Sequence, residues 1–296
     1  MFKALVARGA LMLAFLIGSG NAGAAVPPDG RSPIRVRIIH DRFVLVPVTV
    51  NGTGPYSFLL DTGATSTMLS PTLATRLKLS AAGSAVQETA THAGPVALVR
   101  ASLAVGRVAC RDVEVIATPL DAVQELDRRI AGVLGQDVLR STNWWLDYQG
   151  RVLVADTEGK YAPRDLGERV DVHWHGERPA VDVLLPDRQS LRLVLDSAAS
   201  SPLLFREVAG ASTPADGWAR LTTHFGETRA RQVVVGPIRV GTLVVPPFAA
   251  AMAGNRAADR AEDGLLPTGL FEGIYFDNRA GAVVFNPRRS ALSDQP

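Results

Sequence analysis

Cysteine is nearly absent from this chain: Cys110 is the only one among 296 residues. No internal disulfide can form, so the apolar core must hold the fold by itself. Within Val108-Ala109-Cys110 the thiol has apolar neighbours and reads as a small buried hydrophobe, not a nucleophile. Charge of one sign is lacking too. Lys and Arg number 31 against 29 Asp and Glu, a formal net charge of +2. The basic residues are scattered, which argues against a nucleic-acid binder with its concentrated basic face. No apolar run after the N-terminus reaches transmembrane length, so no membrane span is expected in the mature chain. No G-x-S-x-G elbow appears, which removes the commonest serine-hydrolase signature. Gly52-Thr53-Gly54 lies in a hairpin turn with no helix behind it and is not a phosphate loop. His173 and His175 share one face of a strand. The other histidines are distant in sequence, so these two read as surface residues and neither metal nor cofactor is expected.

The N-terminus carries a targeting pattern. Lys3 and Arg8 precede the short apolar stretch Ala10 to Ile17, and small residues converge on Ala22-Gly23-Ala24. This is the layout of a cleaved signal peptide over residues 1–24, which predicts an exported, periplasmic or secreted, protein.

The whole chain is 47% hydrophobic and 20% charged, ordinary for a globular protein. Beyond the leader it reads as many short strands. Val44 to Val50, the turn Asn51-Gly52-Thr53-Gly54 and Tyr56 to Leu60 predict a hairpin. Helix candidates are few: Ser70 to Leu77, and Leu120 to Ile130 after Pro119. The class is mainly β.

Within that class the chain repeats itself. VPVTVNGTGPYSFLLDTGA, ending at Ala64, aligns without a gap on VDVLLPDRQSLRLVLDSAA, ending at Ala199. Both run strand, polar turn, apolar strand, then an Asp, a hydroxyl residue, a small residue and Ala. Asp61 and Asp196 therefore match. Downstream, Thr91-His92-Ala93-Gly94 answers Thr223-His224-Phe225-Gly226, and Gly132-Val133-Leu134-Gly135 answers Gly264-Leu265-Leu266-Pro267. Trp145-Leu146-Asp147 answers Tyr275-Phe276-Asp277. With Leu103-Ala104-Val105-Gly106 answering Ile238-Arg239-Val240-Gly241, five matches in one order predict two homologous lobes, residues 25–160 with Asp61 and 165–296 with Asp196. The polar segment from Asp156 to Arg169 links them. A carboxylate at the inner end of an apolar strand is unfavourable unless hydrogen bonds or chemistry account for it, and here the chain places one twice.

FLLDTGATSTMLS, GVLGQDVL and WLDYQGRV together resemble the retropepsin-type aspartic proteases. The resemblance covers Phe43 to Val154 and extends more weakly to Pro287. It implies an acid-protease fold in which two lobes each give one aspartate to a cleft on a pseudo-twofold axis, as in the single-chain pepsin-like members. Asp61 and Asp196 would share one proton, because neighbouring carboxylates cannot both ionise easily. One would take a proton from water and the other would donate to the substrate carbonyl. Thr62 and Ser197 would brace the loops across the lobes, and Gly63 would allow close approach. His92 and Gly94, with His224 and Gly226, occupy the place of the family's flap and its counterpart, which would hold a peptide in extended form.

The second copy departs from the pattern at two positions. Ala198 adds a methyl where a glycine is expected, and Pro267 lacks an N–H where the first copy has Gly135. The methyl could crowd the loops or push the dyad apart. Three outcomes follow: a working single-chain endopeptidase, a degenerate second lobe in a non-catalytic peptide-binding protein, or a homodimer acting through Asp61 alone.

Overall fold

The computed structural model describes residues 33–88, 93–159, 167–207, 212–223, 226–253 and 261–287. The expected leader, residues 1–24, lies outside them, as do residues 160–166 of the expected linker. Among the described residues no helix is long and apolar enough to cross a membrane.

The first half begins with β1 (Ile34–Arg35) and β2 (Arg37–Ile39), then the hairpin β3 (Phe43–Val50) and β4 (Thr53–Leu60). Asn51 and Gly52 turn it with φ of 48° and 74°, the left-handed pair that suits the twist of a two-residue hairpin loop. β4 starts exposed at Thr53 and ends buried at Phe58, Leu59 and Leu60. The strand thus drives inward and delivers Asp61 at its inner end. Next come β5 (Met68–Leu69), α1 (Pro71–Arg76), β6 (Ser80–Glu88), β7 (Ala93–Val105) and β8 (Val108–Ala117). After them follow α2 (Asp121–Gln124), β9 (Ile130–Leu134), α3 (Gln136–Leu139), β10 (Asn143–Asp147) and β11 (Val152–Asp156).

α1 fills the predicted span, with Pro71 in its first turn and the Ser70 side chain accepting from the Leu73 N–H at 3.2 Å, an ordinary N-cap. α2 is shorter than the predicted Leu120 to Ile130. The Asp127 carboxylate accepts the Arg129 N–H at 2.9 Å, and this local turn competes with the helix and ends it. Cys110 also differs from expectation. It packs on the first core but stays half-buried, its Sγ 3.8 Å from Ser141 Oγ.

The second half repeats the layout. It contains β12 (Glu168–Asp171), β13 (His173–His175), β14 (Arg178–Leu184), β15 (Ser190–Asp196), β16 (Leu203–Leu204) and β17 (Ser212–Thr223). Then follow β18 (Gly226–Val235), β19 (Ile238–Val240), β20 (Leu243–Val245), β21 (Phe248–Met252) and β22 (Gly264–Pro267). A 3₁₀ turn (Thr268–Leu270), β23 (Gly273–Asp277) and β24 (Ala282–Phe285) close the described chain.

Strand pairing matches between the halves. β4 runs parallel to β9, as β15 does to β22. β5 pairs antiparallel with β9 and parallel with β8, and β16 repeats this with β22 and β21. One difference has a plain cause: Pro237 and the pair Pro246-Pro247 interrupt the second copy, where β7 and β8 run unbroken in the first. Proline lacks the ladder's N–H donor. Each lobe curls around its own apolar core. One is centred on Val46, Leu60, Leu103 and Leu134, the other on Val181, Leu195, Val235 and Leu266.

The halves join through a third sheet in the order β1-β11-β10-β23-β24-β12. β10 and β23 pair antiparallel at its centre, with Trp145 opposite Tyr275. These two residues match in the sequence repeat, so the pseudo-twofold axis passes between them. Buried polar bonds cross the same seam: Asn143 donates to Tyr275 Oη at 3.0 Å, and Tyr275 Oη donates to Asp156 at 2.8 Å.

Candidate active site

β4 and β15 end at the same place from opposite sides of the axis, which brings Asp61 and Asp196 together. The tie is reciprocal. Thr62 Oγ1 donates to the Leu195 carbonyl at 2.7 Å and accepts the Ser197 N–H at 3.0 Å. Ser197 Oγ donates to the Leu60 carbonyl at 2.7 Å and accepts the Thr62 N–H at 3.0 Å. Each hydroxyl is buried and uses both its donor and an acceptor position across the lobe boundary, so breaking either would leave buried backbone groups unpaired. On the first side, Gln136 adds a bond from its amide to the Thr62 carbonyl at 2.8 Å. The Asp61 N–H donates to the Leu134 carbonyl at 3.0 Å.

The two carboxyl groups lie close enough to act on each other directly. Asp61 Oδ1 accepts the Gly63 N–H at 2.9 Å. Asp196 Oδ1 accepts two N–H groups, Ala198 at 2.7 Å and Ala199 at 2.9 Å. Burial pushes Asp61 well above the usual carboxylate range, and the charge of Asp196 adds to this. Burial also raises Asp196, against the opposing pull of its two backbone donors and of Arg178. A buried pair of this kind holds a proton that neither group would keep alone in water, and it titrates as a unit.

Gly63 is required by contact. A Cβ built there would lie 2.7 Å from Asp196 Cγ. The crowding expected of Ala198 does not occur. Its methyl packs against an apolar cluster of the first lobe that includes Phe43, Leu45 and Ala64, and the carboxyls stay in contact. The twofold is therefore broken locally: one loop presents bare backbone to the opposite carboxylate, and the other leans on a wall.

Pro267 has a matching explanation. In the first lobe the Gly135 N–H donates to Thr67 Oγ1 at 3.0 Å, and Asp137 accepts from the Thr67 N–H at 2.8 Å. In the second lobe Pro202 stands for Thr67 and Pro267 for Gly135. Donor and acceptor are lost together, so no buried group is orphaned.

The expected flap segments lie on two hairpins, β6–β7 and β17–β18. Gly94 and Gly226 begin or nearly begin the returning strands, while His92 and His224 fall outside the described residues. β17 crosses to touch α2 of the first lobe. Each hairpin carries an exposed apolar side chain, Val86 at 72% and Trp218 at 62% exposure.

His173 and His175 do not share a ligand. His173 Nε2 meets Asp182 at 3.0 Å, and His175 Nε2 meets Glu262 at 2.7 Å. Glu262 is buried and also binds Arg178 Nη2 at 2.8 Å. Sequence reading passed over Arg178. Its position was legible in the repeat, where it matches Phe43, but its partner lies 84 residues downstream.

Two β lobes that meet over a braced pair of aspartates define the aspartic-protease architecture. Residues 46–138, from β3 into α3, match a family model described as aspartyl protease. No curated protein matches the chain. The family match supports a hydrolase of peptide bonds with peptides as substrates; it covers the first lobe only.

Proposed function

We propose that this protein is an aspartic endopeptidase whose two catalytic carboxylates, Asp61 and Asp196, come from one chain. The observation that carries this reading is the reciprocal Thr62–Ser197 brace, which holds the Asp61 and Asp196 loops against each other across the lobe boundary. Water and a peptide carbonyl are both poor reactants at mild pH. A base for the first and an acid for the second are what an Asp pair sharing one proton supplies. The water oxygen bonds to the carbonyl carbon, one carboxylate takes the water's proton, and the other carboxyl protonates the carbonyl oxygen. The resulting tetrahedral diol collapses with proton transfer to the leaving nitrogen. The hairpins β6–β7 and β17–β18 act as covers for a peptide lying extended in the cleft, with Val86 and Trp218 offering apolar contact.

Asp61→Asn and Asp196→Asn, each purified and assayed against a peptide library from acidic to neutral pH, test the reading. Each variant should lose on the order of 10³-fold or more in kcat/KM, the scale of a general acid or base. Cleavage at the parent rate by either variant would sink the proposal.

A further inference from the structure

The dyad is flanked unevenly. β14 and β15 pair with Ala180 opposite Val194. Continued two residues past the paired stretch, the same register directs Arg178 towards Asp196, on the same face. In the first lobe the matching position is Phe43, a buried apolar residue. The strand position facing Asp196 thus carries a cation, where the first lobe has an apolar residue, and that charge reaches both carboxyls. Arg178 is held in place: Nη2 binds Glu262 at 2.8 Å and Nε binds the His175 carbonyl at 3.4 Å. The Arg178 side chain is 18% exposed and that of Glu262 is 1% exposed. The backbone donors do not set the two apart: Gly63 and Ala64 serve Asp61 as Ala198 and Ala199 serve Asp196, which leaves Arg178 as the difference.

We propose that Arg178 is a positioning residue that fixes the division of labour in the dyad. Its cation keeps the negative charge on Asp196 and leaves the shared proton on Asp61. Asp196 is then the base that takes the proton from water, and Asp61 is the acid that gives its proton to the carbonyl oxygen. After the step the proton sits on Asp196 and the charge on Asp61. Burial raises both carboxyls, and Arg178 favours the ionised form of each; its place opposite Asp196 in the strand register is what sets the two apart. The other titratable groups around this cluster are Glu262, His175 and Tyr148. Despite its burial, Glu262 is held below the usual range by Arg178 and His175. Tyr148 is raised by burial, with Asp196 adding to the shift, and stays protonated.

This inference rests on the dyad reading, yet its test does not need activity. Carboxyl ¹³C resonances of the full chain, labelled at aspartate, are followed against pH. The two dyad signals are assigned by their loss in Asp61→Asn and in Asp196→Asn. Asp196 should carry the signal that ionises first. Arg178→Met should move that midpoint up by about one pH unit, the scale of removing a near opposite charge, and Arg178→Lys should restore most of it. The acid limb of kcat/KM should move with it. First ionisation at Asp61, equal titration of the two, or an unmoved midpoint in Arg178→Met would overturn the proposal. The assignment in the unmodified protein decides the matter even if Arg178→Met does not fold. A chain that cleaves nothing but titrates as described would refute the protease reading alone.

Discussion

At the scale of single residues, the two active loops look alike in sequence and differ in tolerance. Gly63 faces the opposite carboxylate with no room for a methyl, since its Cβ would sit 2.7 Å from Asp196 Cγ. Ala198, at the matching position, already has that methyl and rests it on the first lobe's apolar wall. Gly63→Ala should therefore abolish cleavage, because the contact is with the reacting group itself and neither loop can withdraw without breaking the Thr62–Ser197 brace. Ala198→Gly should keep activity within about tenfold and cost about 1 kcal/mol of stability, the sum of a lost methyl and a freer backbone. Peptide assays and urea unfolding check both. Asp61, Thr62 and Gly63 were legible because a short motif repeated at a fixed spacing. The tolerance of Ala198 was not, because it depends on where a methyl points between two lobes.

At the scale of elements, the hairpin leading to Asp61 and α1 could be read from alternation, turn residues and a capping serine, whereas the parallel pairings could not. The broken strands of the second lobe trace to prolines visible in the sequence. What could not be read was compensation between distant positions. Pro267 alone suggests a lost donor. Only the fold puts Pro202 beside it, where the first lobe has Thr67 accepting the Gly135 N–H. The first lobe still depends on that clamp. Thr67→Val keeps the shape but strands the Gly135 N–H and removes a partner of Asp137, whose carboxyl burial already pushes up. The variant should lose about 2 to 3 kcal/mol of unfolding free energy, the range for buried groups left unpaired, measured by urea denaturation. A loss below about 0.5 kcal/mol would mean that water or a neighbour replaces the hydroxyl.

At the scale of the whole molecule, the dyad works against the stability of the fold that holds it. Asp61 ionises in the unfolded chain near its ordinary value of 3.8 but later in the folded one. As pH rises between those two values, the unfolded state gives up its proton first and stability falls. Its contribution is thus fully present below pH 3.8 and is lost as pH climbs through the raised folded value. Asp61→Asn removes that penalty. Its melting temperature should exceed that of the parent at neutral pH, with the gap closing as the solution is acidified below the ordinary carboxylate range. A gap independent of pH would contradict the burial and coupling described for Asp61.

The sheet that joins the halves has a further consequence, and it concerns inheritance. β10 and β23 meet around Trp145 and Tyr275, matched residues that would be the same residue if two identical copies assembled. In such an assembly every codon change enters the site twice, and a methyl at the Gly63 position would strike both carboxylates. Joined in one reading frame, the copies drift separately. The methyl of Ala198, the guanidinium of Arg178 and the prolines at 202 and 267 each stand on one side only. The linkage thus leaves open to this protein a set of one-sided differences closed to any assembly of two identical copies.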